Sequence, residues 1–255
     1  MASILLIETS TSVLSVALAR DGAVVHERIC REPRMQASLT APLVKEVLDG
    51  AGFKMADCDA VCVSSGPGSY TGLRVGVSTA KGLCFGASKP LIAIGTLDIL
   101  AAGVRCDDGA KRPRGSGGVA PQSVEDSINH GDNFIVPMID ARRMEVYTAV
   151  YSAEGERLTP VEAQIVGPES FAAYLDRGEV LFVGDGALKC QEVIGHPNAR
   201  FKEAWPLARD MAKPAQKAFE EGKFENLAYF EPFYLKDFVA TVSKKKLWDM
   251  EKSQE

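Results

Sequence analysis

A short apolar strand that runs through two glycines directly into a helix sets most of what this chain can fold into. Val61 to Ser64 reads as a buried strand, Gly66-Pro67-Gly68-Ser69 as a turn, and Tyr70 to Phe85 as a helix with Leu73, Val77, Ala80 and Cys84 on one face. Strand, glycine turn and helix together predict an α/β fold. They also form an anion site in outline, because unpaired N–H groups and the helix dipole point the same way. Gly66, Gly68 and Ser69 are therefore candidates for binding a phosphate, with Ser69 also a helix N-cap. Close helix–strand packing without any ligand accounts for the same residues. No Gly-Lys-Ser/Thr closes the turn as in a P-loop, and Pro67 stands where a nucleophile elbow needs glycine. A dinucleotide site with Asp98 as ribose acceptor is a further reading, although the turn follows a hairpin rather than opening a βαβ unit.

Ser3 to Thr9, Val13 to Ala19 and Val24 to Ile29 are β-branched, apolar runs. Asp21-Gly22 between the last two is a hairpin signal. Leu39, Leu43, Val47 and Leu48 recur at helical spacing, and Gly50 and Gly52 end the pattern. Pro42 means that this helix either starts near Ser38 or starts earlier and kinks. With strands at Asp59 to Ser64 and Pro90 to Ile94, the first hundred residues predict a mixed sheet of about five strands. Cys106 to Asn133 has few apolar residues and no period, so it reads as a flexible insertion. Strands follow at Phe134 to Ile139, Val146 to Tyr151 and Val180 to Val183, with helices at Glu169 to Leu175 and roughly Ala204 to Glu221. No internal repeat is evident, and Ser243 onward reads as a polar tail.

The net charge of −5 argues against a chain that binds nucleic acid alone, since phosphate neutralisation needs a basic face. The basic run Lys244-Lys245-Lys246 sits in the tail. No apolar run is long enough for a membrane span, and Met1-Ala2-Ser3 has no signal-peptide character. The six cysteines are scattered, which fits reduced thiols in a cytoplasmic protein. Cys58 and Cys62 have no second pair or nearby histidine to complete a zinc site. His26, His130 and His196 lie far apart, so neither a metal centre nor a triad is expected.

Two more polar constellations stand out. Glu8-Thr9-Ser10-Thr11-Ser12 lies between two hairpin strands, where Thr9, Ser10 and Thr11 offer donors to an anion; a hydroxyl-rich turn is the competing account. Asp140-Ala141-Arg142-Arg143 ends a strand, where Asp140 and Arg142 face either a cleft or simply solvent.

Ser65-Gly66-Pro67-Gly68-Ser69-Tyr70-Thr71-Gly72-Leu73-Arg74-Val75-Gly76, continuing through Ala80-Lys81-Gly82-Leu83, resembles the signature of the bacterial TsaB (YeaZ) family. Ile7-Glu8-Thr9-Ser10, Ile139-Asp140-Ala141-Arg142-Arg143 with Glu145-Val146-Tyr147, Gly184-Asp185-Gly186-Ala187, and Glu231-Pro232-Phe233-Tyr234-Leu235 fall in the matching order. The resemblance implies a two-lobed, actin-like ATPase (ribonuclease-H-like) α/β fold with mixed five-stranded sheets. The lobes would be residues 1–105, completed by 207–240, and 134–206, with 106–133 an insertion and 241–255 a tail.

The resemblance further implies a part in making threonylcarbamoyladenosine in tRNA. There this subunit is a non-catalytic scaffold that pairs with a TsaD-type transferase and recruits a TsaE-type ATPase. Contact with tRNA would come only through the complex, and ATP or ADP would be shared with it rather than be a cofactor of this chain. TsaD carries its metal on a His-x-x-x-His helix; here Met35 and Leu39 occupy that spacing, and neither suits a catalytic metal. Glu8 replaces the aspartate of actin-like kinases. The helix faces of Leu39, Leu43 and Val47 and of Tyr70, Leu73, Val77 and Lys81 are the expected docking surface. Self-association through it is expected when the partner is missing. A glycoprotease-like peptidase and a degenerate kinase remain as alternatives of another class.

Overall fold

The sequence Ser-Ile-Leu-Leu-Ile-Glu forms strand β1 (Ser3–Glu8), every residue of which is buried. It pairs antiparallel with β2 (Leu14–Arg20), which pairs antiparallel with β3 (Ala23–Cys30). A computed structural model describes residues 1–107 and 133–236. Helix α1 (Gln36–Ala51) leads to β4 (Ala60–Gly66), which runs parallel to β1; α2 (Tyr70–Ala87) leads to β5 (Leu91–Gly95), parallel to β4. The resulting order is β3-β2-β1-β4-β5, the five-stranded mixed sheet that the sequence predicts.

Helices cover both faces of this sheet, which is why β1 is continuously apolar rather than alternating. Leu5 and Ile7 face α1 and α2 with Val16, Leu18, Val61 and Val63. Ile4 and Leu6 face the opposite side, with Ile99, Met211 and Ala215. That side is closed by α3 (Thr96–Asp107) and by a short 3-10 turn, Ala208–Met211, that continues into α5 (Ala212–Glu220). α1 starts before Ser38, so Pro42 lies within the helix rather than in its tolerant first turn.

The second sheet contains β6 (Phe134–Asp140), β7 (Glu145–Thr148), β8 (Tyr151–Ser152), β9 (Glu162–Ile165), β10 (Val180–Val183) and β11 (Ala199–Lys202). Its order is β11-β10-β6-β7-β9, with β8 also paired to β6. It has six strands rather than the five expected, because the segment after β7 breaks at Ala149-Val150 and resumes as β8. β6 is antiparallel to β7 and parallel to β10, so this sheet repeats the connectivity of the first. That repeat is not visible in the sequence. The helix expected from Glu169 shrinks to α4 (Ala172–Leu175).

One helix serves both sheets. Ile99 of α3 packs on the first, while Leu97, Leu100, Ala101 and Val104 pack with Ile135, Ile139, Tyr151 and Val183 of the second. The Tyr151 hydroxyl donates to Asp98 Oδ1 at 2.7 Å, and Arg157 lies 3.8 Å from the same carboxylate. Asp98 thus ties the two halves together, which leaves its carboxylate engaged rather than free for a ribose. The expected insertion lies outside the described residues apart from its ends, as does the tail.

Candidate functional site

The turn after β1 is closed by the chain itself. Thr9, Ser10 and Thr11 are all buried. Ser69 N–H donates to Ser10 O at 2.7 Å, and the Thr9 hydroxyl donates to Gly72 O at 2.8 Å. Gly68 in the turn before α2 and Gly72 and Gly76 within it lie against the first turn, and a β-carbon on any of them would collide with Ser10 or Thr9. The glycine spacing that suggested a phosphate cradle is therefore what lets α2 lie flat on the first turn. Ser69 caps the helix by accepting from Gly72 N–H at 3.3 Å. The Thr9 and Ser10 hydroxyls, the Ser10 N–H and the Ser69 N–H are thus engaged within the chain, as the packing account of these residues requires.

Glu8 shares in this closure. Its Oε1 accepts from the Ser10 N–H at 2.6 Å and the Ser10 hydroxyl at 2.5 Å, while Oε2 is buried without a partner. Burial raises its pKa from an ordinary 4.5 to about 7, against the lowering effect of the Ser10 hydrogen bonds. A carboxyl folded back on its own turn is not presented to a metal. Among the described residues, no group of three His, Cys, Asp or Glu side chains is placed to hold one.

Gly66 takes φ +110 and starts a second packing feature. Its neighbour Ser65 accepts a hydrogen bond from Phe233 N–H at 2.7 Å. Phe233 belongs to a strap, residues 225–236, that lies along the outer side of α2. The strap begins where Glu225 N–H donates to Leu91 O, packs Leu227 and Phe230 on the core, and sets Tyr234 against Tyr70 with ring centroids 4.8 Å apart and planes tilted by 37°. Lys81 Nζ donates to Phe230 O at 3.0 Å and Ala228 O at 3.3 Å. Lys236 then pairs with Glu145 of the second sheet. No periodicity in the sequence announces this strap.

The docking surface read from the sequence needs correction here. Val47, Leu73 and Val77 are buried in the chain's own core, since a single apolar stripe cannot face both sheet and partner. Leu39, Leu43, Tyr70 and Lys81 are half-exposed, and Lys81 is committed to the strap. The larger exposed apolar surface beside them comes from Phe85 and Tyr229, at 80% and 83% exposure.

Asp140 and Arg142 sit in the β6–β7 turn of the second sheet. Asp140 Oδ1 accepts from Arg142 N–H at 2.9 Å and pairs with Lys189, while Asp140 N–H donates to Asp185 Oδ1 at 2.9 Å. A cleft of about 450 Å³ between the halves is lined by Gly66, Pro67, Asp98, Arg157 and Phe233; none of the three polar turns contributes its hydroxyls or Asp140 to that lining. The two described histidines do not pair with each other: His26 Nε2 is buried against Gly50, and His196 lies 3.8 Å from Asp176, while His130 lies outside the described residues. Burial pushes the Cys58 and Cys84 thiols up to about 11, so neither is an activated nucleophile.

Two mixed sheets that share a five-strand order, each with an antiparallel hairpin feeding parallel strands and the second adding β8, define a two-lobed α/β protein of the actin-like, ribonuclease-H-like class. The comparisons narrow that class. A family model described as TsaD, tRNA N6-adenosine threonylcarbamoyltransferase, matches residues 34–119. The tRNA threonylcarbamoyladenosine biosynthesis protein TsaB of Escherichia coli K12 is 31% identical over 245 residues, 93% of this chain and 96% of that protein. A crystal structure from Pseudomonas aeruginosa, described as an uncharacterized protein with similarity to peptidase YEAZ, superposes with a TM-score of 0.74 at 26% identity, covering 92% of this chain and all of the other. The transferase of Agrobacterium fabrum is 48% identical over 71 residues, 28% of this chain and 20% of its own length. The chain belongs to the TsaB (YeaZ) family.

Proposed function

We propose that this chain is a non-catalytic subunit of the cytoplasmic machinery that forms threonylcarbamoyladenosine in tRNA. It pairs with a TsaD-type transferase and helps recruit a TsaE-type ATPase. The observation that carries this reading is the closed first turn. Where an actin-like kinase would present donors and a carboxylate to nucleotide and metal, Thr9, Ser10 and Glu8 bond to α2 and to each other. A scaffold needs that turn only as packing. ATP or ADP would then be held by the complex, not by this turn.

The partner-facing surface is the exposed side of α1 and α2 with the strap: Leu39, Leu43, Tyr70, Phe85 and Tyr229. Aromatic side chains exposed beside a helix pair are costly on a lone monomer and suit an interface. Without its partner, the chain is expected to self-associate there.

Reconstitution tests the reading. Purified transferase, ATPase and threonylcarbamoyl-adenylate should modify tRNA only when this chain is added, and the chain alone should not turn over ATP. Modification at full rate without it, or metal-dependent ATP or peptide hydrolysis by it alone, would reject the proposal.

A further inference from the structure

Arg142 and Arg143 occupy adjacent positions with φ +72 and +52 in the turn between β6 and β7. Side-chain-bearing residues other than Asn and Asp rarely adopt this left-handed region, and two in succession are rarer still. Glycine or asparagine would suit both positions better. Arginine therefore does not serve the backbone of this turn, and its presence calls for an account from the side chains. Both side chains are exposed, and among the described residues neither guanidinium has a hydrogen-bond or ion-pair partner.

Everything else in the turn is neutralised and held still. Lys189 pairs with Asp140 and donates to Arg143 O and Glu145 O, each at 2.8 Å. Lys236, at the end of the strap, pairs with Glu145. Asp185 lies under the turn, accepting from Asp140 N–H, and burial raises its pKa. With its acids answered by lysines, the turn projects two uncompensated guanidiniums from a chain whose net charge is −5. A rigid mount carrying two free planar forks is suited to phosphate oxygens, which arginine engages in bidentate fashion.

We propose that Arg142 and Arg143 grip backbone phosphates of the RNA when this chain stands in its modification complex. This rests on the functional reading above and adds to it a direct contact between this chain and tRNA, where the sequence alone led us to expect contact only through partners.

The test uses the complex of this chain with the TsaD-type transferase. Arg142→Asn with Arg143→Gly suits the backbone better, so its chain should melt no lower than wild type and co-purify equally with the transferase. Its tRNA affinity at low salt should fall about ten-fold or more. The slope of log affinity against log salt should become shallower by about 1 to 2, two phosphate contacts at 0.7–0.9 each. Arg142→Gln with Arg143→Gln, which leaves the backbone demand unchanged, should show the same loss. Unchanged affinity and slope in both variants would overturn the proposal. So would loss of co-purification, which would place the guanidiniums against the protein partner, or a loss of ATP binding with tRNA binding intact. A wild-type complex that neither binds nor modifies tRNA would defeat the underlying functional reading as well, and that failure is visible before any variant is compared.

Discussion

The carbonyl oxygen of Phe233 lies 2.6 Å from the place where a β-carbon on Gly66 would stand. The strap and the glycine turn thus fit only because residue 66 has no side chain, and because its φ of +110 is open to glycine. Gly66→Ala should lower the unfolding free energy by roughly 2–3 kcal/mol, from backbone strain and displacement of the strap together. Urea denaturation of the variant checks the magnitude. A loss under 0.5 kcal/mol would mean that the strap does not depend on this position.

Lys81 holds the same strap by its ammonium. Lys81→Met keeps the stem's packing but loses two carbonyl partners. We expect a global cost of about 1–2 kcal/mol and faster proteolytic cleavage between residues 225 and 236. Cleavage at the wild-type rate would count against the anchoring role.

Glu8 predicts a pH dependence of stability. Its folded pKa of about 7 lies above the ordinary 4.5. Between these values the folded state holds a proton that the unfolded state has released, so stability falls as pH rises from 4.5 towards 7 and levels off above. The loss is on the order of 3 kcal/mol. Glu8→Gln should remove it, so the variant should gain on wild type between pH 5 and pH 8. Parallel denaturation curves for the two proteins at both pH values would refute the assignment.

The two helix faces should separate by mutation. Val77→Glu places a charge in the core, and the chain should fail to fold. Leu39→Glu and Phe85→Glu change half-exposed or exposed positions, so they should leave the melting temperature within a few degrees of wild type while reducing co-purification with the transferase. Full co-purification of both exposed-site variants would move the interface elsewhere.

The first sheet is legible in the sequence because its information is local. Apolar runs mark β1 and β4, Asp21-Gly22 marks the hairpin, and a 3.6-residue period marks α2. β9 and β11 carry Glu-Ala-Gln-Ile and Ala-Arg-Phe-Lys, whose half-exposed positions give no apolar run to detect. The strap has no period, since its Leu227 and Phe230 are held by the fold they cover. The candidate site was harder still. Its glycines read equally as phosphate cradle or as helix packing, and the close approach of Ser10 to Gly68, which the packing account needs, is a contact between residues far apart in the chain. The helix stripe was legible, but not which side of it faces water. The strain at Arg142 and Arg143 leaves no trace in composition.

α3 is a party wall. One side of it completes the amino-terminal sheet and the other completes the carboxy-terminal sheet, although the two sheets follow one plan. Two copies of a design that share a wall can no longer be parted: cut away from α3, the later half would bare Ile135, Ile139 and Val183 to water. A shift of this helix would disturb the packing of Ile99 on one side and of Leu97, Leu100 and Val104 on the other at once.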